Sequence, residues 1–374
     1  MRILLLAGLA LSVFASQAVW VTFSPVASLV AVELGVSKEL VGLLALVYPI
    51  LFLLLTIPSG LLLDRSFKAG VGLGSLLTAA GAGVRLAGPG SYEILLAGQI
   101  LAGVGQPLLL NSFAPAASRL YPGRKELVVS LLSFSMYLGI IYALGLGYNL
   151  YRAGGLTLLL APPALVALAG LILIVAGLPS SLEPYRGSLA SLARTARSRE
   201  VWLLGVILGL GVALFDNMSI WLEPVLSEVG LGDKAGGALA LSMLLGLAGV
   251  SLIPGLVARR SARTLYIRLV SGVAILVFIA LSIAPRDYTV GLLIPLLGLL
   301  MLPAYPVIME WVSRFYPGEV HGSASGLIGL SSRILTVALA SMAVLFIDSP
   351  RSYFLFLALL SACALGVSLL LPRR

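Results

Sequence analysis

Hydrophilic side chains are what this chain lacks. Of 374 residues, 10% are charged and 60% are apolar, against roughly 25% and 45–50% in soluble globular domains. That excludes a soluble fold. Amides are limited to Gln17, Gln99, Gln106, Asn111, Asn149 and Asn217, beside one histidine and one cysteine. A disulfide framework and a Cys- or His-rich metal centre are therefore excluded, and no cofactor is expected. His321 has no nucleophile in a triad-like arrangement, and neither H-E-x-x-H nor G-x-x-x-x-G-K-[ST] occurs. An enzyme and a nucleotide-driven pump are both disfavoured.

What is present is apolar sequence in long runs. About 20 apolar residues cross the roughly 30 Å hydrocarbon layer as a helix, and twelve such runs recur, at about 4–32, 39–63, 69–87, 94–118, 127–148, 155–178, 201–226, 235–257, 265–284, 289–313, 321–346 and 352–371. Backbone amides in lipid need internal partners, so each run is expected to be helical. Continuous runs without alternation argue against a β-barrel. The first run resembles a signal peptide from Arg2 to Ala18, but its apolar character continues to Val32, so a retained span is expected.

The net charge of +9 is carried by basic clusters between the runs, a pattern of membrane orientation rather than of nucleic-acid binding. Sorted by loop, 17 cations fall on one side and 6, Arg85 among them, on the other. Both termini are then expected in the cytoplasm. Arg333 is left over inside a span.

The hydrophilic stretch 179–200 divides the chain into an N-terminal six-helix bundle, 1–178, and a C-terminal one, 201–374, with the stretch itself a cytoplasmic linker. The halves repeat at an offset of 195 residues. Ser118–Gly123 recurs as Ser313–Gly318, Gly60–Arg65 as Gly255–Arg260, and Glu33-Leu34-Gly35 as Glu228-Val229-Gly230. Copies with an even number of spans share one orientation, related by an axis along the membrane normal. This arrangement resembles the major facilitator superfamily, an all-α integral membrane fold of twelve spans. Of its signature loop, Gly60, Asp64 and Arg65 fit, whereas Phe67 and Ala69 stand where a glycine and a basic residue are expected. By that resemblance these residues form a cytoplasmic gate and do not touch solute.

Ionisable groups in hydrocarbon cost at least about 2.5–3.5 kcal/mol, so the few present mark sites. Asp216 and Asn217 fall near the middle of span seven and Arg333 near the middle of span eleven. At similar depth, Asp216 and Arg333 are candidates for a mutual pair. Two readings stay open: a structural tie, or a pair facing a central cavity that binds charged solute or exchanges a proton. Trp20, in span one, can offer its π-face to a cation. Gln106 and Asn111 in span four complete the candidates. In span ten, Pro303 and Pro306 predict a bend or break beside Tyr305. Glu310, expected to pair with Arg314 at i,i+4, is with Asp216 a candidate for proton coupling.

Gly98-Gln99, Gly105-Gln106-Pro107, Asn111 and Tyr121-Pro122, with Trp20, Phe23-Ser24 and Phe315-Tyr316-Pro317, resemble the feline leukaemia virus subgroup C receptor-related transporters. That resemblance implies facilitated passage of choline or ethanolamine, some members being linked to haem. The ammonium group would be boxed by a span-one tryptophan, here Trp20, and a span-seven tyrosine, with glutamines nearby, the span-four one here Gln106. Asp216 stands in place of the tyrosine and Arg333 in place of the span-eleven glutamine.

The expected function is a monomeric, multi-pass plasma-membrane transporter. It would move a small polar organic solute, a zwitterion, amine or organic ion, by rocker-switch alternating access. Binding is assigned to Trp20, Gln106, Asn111, Asp216, Asn217, Tyr305 and Arg333. The alternatives are an exporter or facilitator of an amphipathic compound with a purely structural Asp216–Arg333 pair, and a non-transporting membrane receptor. The expected partners are the solute and the bilayer, with no nucleic acid.

Overall fold

The computed structural model describes residues 2–120, 125–177, 197–315 and 321–372. The Tyr-Pro-Gly segments of the repeat, and all but the last few residues of the linker, lie outside them. Among the described residues the regular structure is entirely helical. Eleven segments are long and apolar enough to span a membrane. One of these, within α7 (Lys125–Gly177), is two helices joined at Gly154 and Gly155, where Gly155 takes φ 62°. Counted so, there are twelve among the described residues. The short arm-to-arm turn replaces the loop expected after residue 148.

The chain divides into two compact units, Met1–Gly187 and Ser188–Arg374. In the first, α1 (Arg2–Trp20) continues through a turn and a single 3-10 turn (Ser24–Val26) into α2 (Ala27–Leu34). Then follow α3 (Lys38–Arg65), α4 (Phe67–Ala87), α5 (Tyr92–Leu110), α6 (Phe113–Leu120) and α7. In the second unit lie α8 (Arg199–Ser227), α9 (Gly232–Arg259), α10 (Arg263–Ile283), α11 (Asp287–Met301), α12 (Ala304–Phe315), α13 (His321–Ala343) and α14 (Pro350–Ser368). Serines begin five of these helices: Ser37, Ser66, Ser91, Ser198 and Ser349 each accept an N–H of the first turn. Such caps satisfy donors that the helix itself leaves orphaned.

The repeated Glu-x-Gly motif has a local cause. Gly35 and Gly230, 195 residues apart, take φ 66° and 73°. A left-handed residue closes a helix with its carbonyls satisfied, and only glycine adopts it without a Cβ penalty.

Lipid supplies little driving force for apolar burial between helices, so small residues that admit close backbone contact decide packing. In the first unit α1 lies along both arms of α7. A Cβ on Gly139 would overlap the carbonyl oxygen of Phe14, and one on Gly8 would lie 2.7 Å from the Ile174 amide. Helices α4 and α5 meet through Gly81 against Gly98 and Gly74 against Gly105. The glycines of the Gly-Gln pairs in span four therefore let α5 approach α4, and each adjacent glutamine lies buried. In the second unit α8 packs on α13, where Gly209 meets Leu335, and α9 packs on α11 through Gly246 and Gly298.

Helices that the sequence reads as continuous are interrupted at three places. Span one breaks after Trp20, before Pro25; span four breaks at Asn111 and Ser112; span ten breaks between Met301 and Ala304, beside Pro303. The expected break in span ten is present. Those in spans one and four are additional.

Candidate functional site

In the second unit, α8 supplies Asp216 and α13 supplies Arg333. The Arg333 Nη1 nitrogen donates to Asp216 Oδ2 at 3.4 Å. Their exposures differ: the Asp216 side chain is 4% exposed and that of Arg333 29%. The acid is sealed within the bundle and the cation reaches open space. Tyr305, in the first turn of α12 after the break, is exposed and within electrostatic reach of Arg333. Three candidates are thus brought together in one unit.

Asn217 is fully buried. Its Nδ2 donates to the Ala213 carbonyl of its own helix at 2.8 Å, and its Oδ1 has no partner among the described residues. Further along α8, Trp221 donates to the Ala340 carbonyl of α13 at 3.0 Å, a second tie between these helices. The acid at Glu223, buried two turns from Asp216, accepts from Ser227 at 3.0 Å and was not singled out in the sequence.

Glu310 sits elsewhere, in the second turn of α12. It receives two guanidinium bonds from Arg263 of α10, one of them from Nη2 at 2.7 Å, while Arg314 stands 3.9 Å away. The expected i,i+4 pair exists, but the fully buried Arg263 is the principal partner. Arg263 also lies over the Phe315 ring, at 5.4 Å. Glu200, in the first turn of α8, accepts the indole N–H of Trp311 at 2.7 Å.

The corresponding region of the first unit exchanges the roles. Arg119 of α6 lies over Phe67, at 5.1 Å from the ring centroid, and donates to the Leu63 carbonyl at 3.3 Å. Phe67, standing where the signature loop has glycine, supplies the aromatic seat. Gly60 has open space around its Cα, and Arg65 is an exposed cation in the last turn of α3, where the helix dipole favours it. The side chains of Asp64 and His321 lie outside the described residues.

Trp20 is the last residue of α1 rather than a mid-helix residue, because the helix stops there. It is 6% exposed, and its Nε1 donates to the Ala45 carbonyl of α3 at 3.0 Å. Asn111 caps α5, and its Nδ2 lies 2.8 Å from Ser59 Oγ, 3.0 Å from the Thr56 carbonyl and 3.1 Å from Thr56 Oγ1. That amide ties the span-four break to α3 beside Pro58. Gln106 is buried and makes no hydrogen bond among the described residues.

Arg85 requires a correction. Sorted by sequence with the loop cations, it lies inside α4 and is 1% exposed. Its Nη1 donates to the Val19 carbonyl at 3.1 Å and its guanidinium covers the Phe23 ring at 4.9 Å. Arg333 is therefore not the only cation within a span.

Known proteins resemble this chain in sequence and in fold. The sequence profile of the Major Facilitator Superfamily matches residues 9–341. Solute carrier family 49 member A3 of Danio rerio is 27% identical over 344 residues, covering 84% of this chain and 72% of that protein. An uncharacterized protein of Archaeoglobus fulgidus is 30% identical over 193 residues, 51% of this chain and 86% of its own length. Among solved structures, a peptide transporter, POT, gives a TM-score of 0.77 at 16% identity, covering 98% of this chain and 93% of its own. A D-xylose-proton symporter gives 0.73 at 17% identity, covering 100% and 98%. At such identities the structural likeness shows the fold alone.

Proposed function

Because this chain belongs to the major facilitator superfamily, a family of membrane transporters, we propose that it moves a small organic solute bearing an acidic group. The solute is an anion or a zwitterion, carried by alternating access, with both termini in the cytoplasm and a monomer in the plasma membrane as the working unit. The observation that carries this reading is the unequal pair: the Arg333 side chain is 29% exposed while that of Asp216 behind it is 4% exposed. A guanidinium so placed presents a planar donor array to a carboxylate or phosphate. Asp216 orients it, and Tyr305 flanks it.

In the first unit, the face of Trp20 and the unbonded amide of Gln106 are the groups left for a solute. Asn111 and Glu310 are assigned to structure, since their polar atoms are already engaged. Asp216 is the coupling carboxylate: protonation removes its hold on Arg333 and frees the guanidinium for the solute. The proton-linked neighbour among the solved structures supports coupling by fold likeness only.

The test is counterflow in proteoliposomes against carboxylates, phospho-alcohols, amino acids and quaternary amines, with and without a pH gradient. Uptake of an acidic solute that is lost in Arg333→Gln supports the reading. Uptake retained in the Asp216→Asn, Arg333→Gln double variant overturns it and makes the pair a structural tie in a carrier of amphipathic compounds. Transport confined to choline or ethanolamine also overturns it, in favour of the ammonium-carrier reading.

A further inference from the structure

The break in span one leaves helix carbonyls without their ordinary donors. In an uninterrupted helix the Trp20 carbonyl would accept from the Ser24 amide, which instead donates to Val21 at 3.1 Å. The vacant positions are filled from other helices. Gln99 of α5 donates its Nε2 to the Val19 carbonyl at 3.2 Å and to the Trp20 carbonyl at 3.3 Å. Arg85 of α4 donates to the same Val19 carbonyl at 3.1 Å.

This is an unusual use of a cation. Arg85 is 1% exposed, and no acidic side chain pairs with it among the described residues. An unpaired buried guanidinium is costly, and the negative end of a helix is one of the few neutral partners that offset it. Here that end is the C-terminus of α1, closed on its far side by the Phe23 ring. Room for the arginine stem comes from Gly98, whose missing Cβ would lie 2.6 Å from Arg85 Cγ. The Gly98-Gln99 dipeptide therefore does two jobs: glycine admits the arginine, and glutamine binds beside it.

Trp20 is the residue at the centre of this arrangement. Its carbonyl is held by Gln99 and its indole N–H by Ala45, one turn from the fully buried Tyr48, which is in electrostatic reach of Arg85. We propose that Arg85 and Gln99 clasp the open C-terminal end of α1 and thereby fix where Trp20 stands, making both of them positioning residues. The inference rests on the reading of Trp20 as a solute contact only for its functional meaning; the clasp itself is independent of any solute. The clasp is also incompletely satisfied: Arg85 Nε, Gln99 Oε1 and Tyr48 Oη are buried without partners among the described residues.

The experiment labels the four tryptophans with 5-fluorotryptophan and records fluorine NMR spectra of the full chain in nanodiscs, with Trp20→Phe assigning one line. In Arg85→Met the Trp20 line is expected to shift and broaden while the lines of Trp202, Trp221 and Trp311 stay in place. Arg85→Lys, which keeps a cation at the helix end, restores the line toward its original position. Gln99→Leu, which removes two carbonyl contacts without stranding a charge, gives the same selective change and serves if Arg85→Met does not fold. A Trp20 line unmoved in both Gln99→Leu and Arg85→Met overturns the proposal, as does movement of all four lines together. Because no solute enters this measurement, a failed counterflow assay and a failed clasp are told apart.

Discussion

Arg333 reaches Asp216 through one nitrogen at 3.4 Å, and of the two the arginine is by far the more exposed. Removing either partner therefore has unequal consequences. Arg333→Gln strands a carboxylate in the bundle and is expected to cost about 3 kcal/mol, the lower end for a broken buried pair. Asp216→Asn leaves a cation that is partly exposed rather than sealed in the bundle, at about 1 kcal/mol or less. Thermal unfolding of the purified protein checks the order; equal losses would contradict the unequal burial.

The same logic applied to Glu310 predicts stability effects rather than transport effects. Glu310→Gln strips the fully buried Arg263 of its acid and is expected to lower the unfolding temperature steeply, by an equivalent of about 3 kcal/mol or more. Arg314→Gln removes only an exposed contact at 3.9 Å and changes stability by about 0.5 kcal/mol or less. If Arg314→Gln proved the more damaging, the assignment of Arg263 as principal partner would be wrong.

Glycine replacements should divide by sign. Gly139→Ala forces a methyl group into the Phe14 carbonyl and is expected to cost about 1–3 kcal/mol. Gly237→Ala, within α9 with nothing near the added methyl, is expected to stabilise by about 0.5–1 kcal/mol through helix propensity. Unfolding in detergent at matched concentration distinguishes the two.

Asn111→Ala is expected to lower stability by about 1 kcal/mol, the worth of a typical buried hydrogen bond, by untying the span-four break from Thr56 and Ser59. The apparent KM of any solute found in the counterflow screen should remain unchanged. A rise in KM without a fall in stability would return Asn111 to the solute site.

Twelve spans and the break at Pro303 were legible in the sequence, because each depends on apolar run length or on a residue that cannot donate. Partners far apart along the chain were not. Arg85 lies within three residues of the end of α4 and reads as a loop cation; its acceptor is 66 residues away, on a helix end whose existence depends on the break after Trp20. Glu310 was paired with its i+4 neighbour for want of any signal from Arg263, 47 residues earlier. Asn111 and Trp20 were read as solute contacts, but the indole N–H goes to the Ala45 carbonyl and the Asn111 amide to the Thr56 carbonyl and the Thr56 and Ser59 hydroxyls, partners on α3 more than 20 residues away. Asp216 and Arg333 were matched by depth, and there the inference from two similar span positions was sufficient.

Gly139 meets the backbone carbonyl of Phe14 in the first unit, and Gly209 meets the Leu335 side chain and the Ser332 backbone in the second. A single methyl at either position would press on the neighbouring helix, so the spacing of these helices is set by an absent side chain.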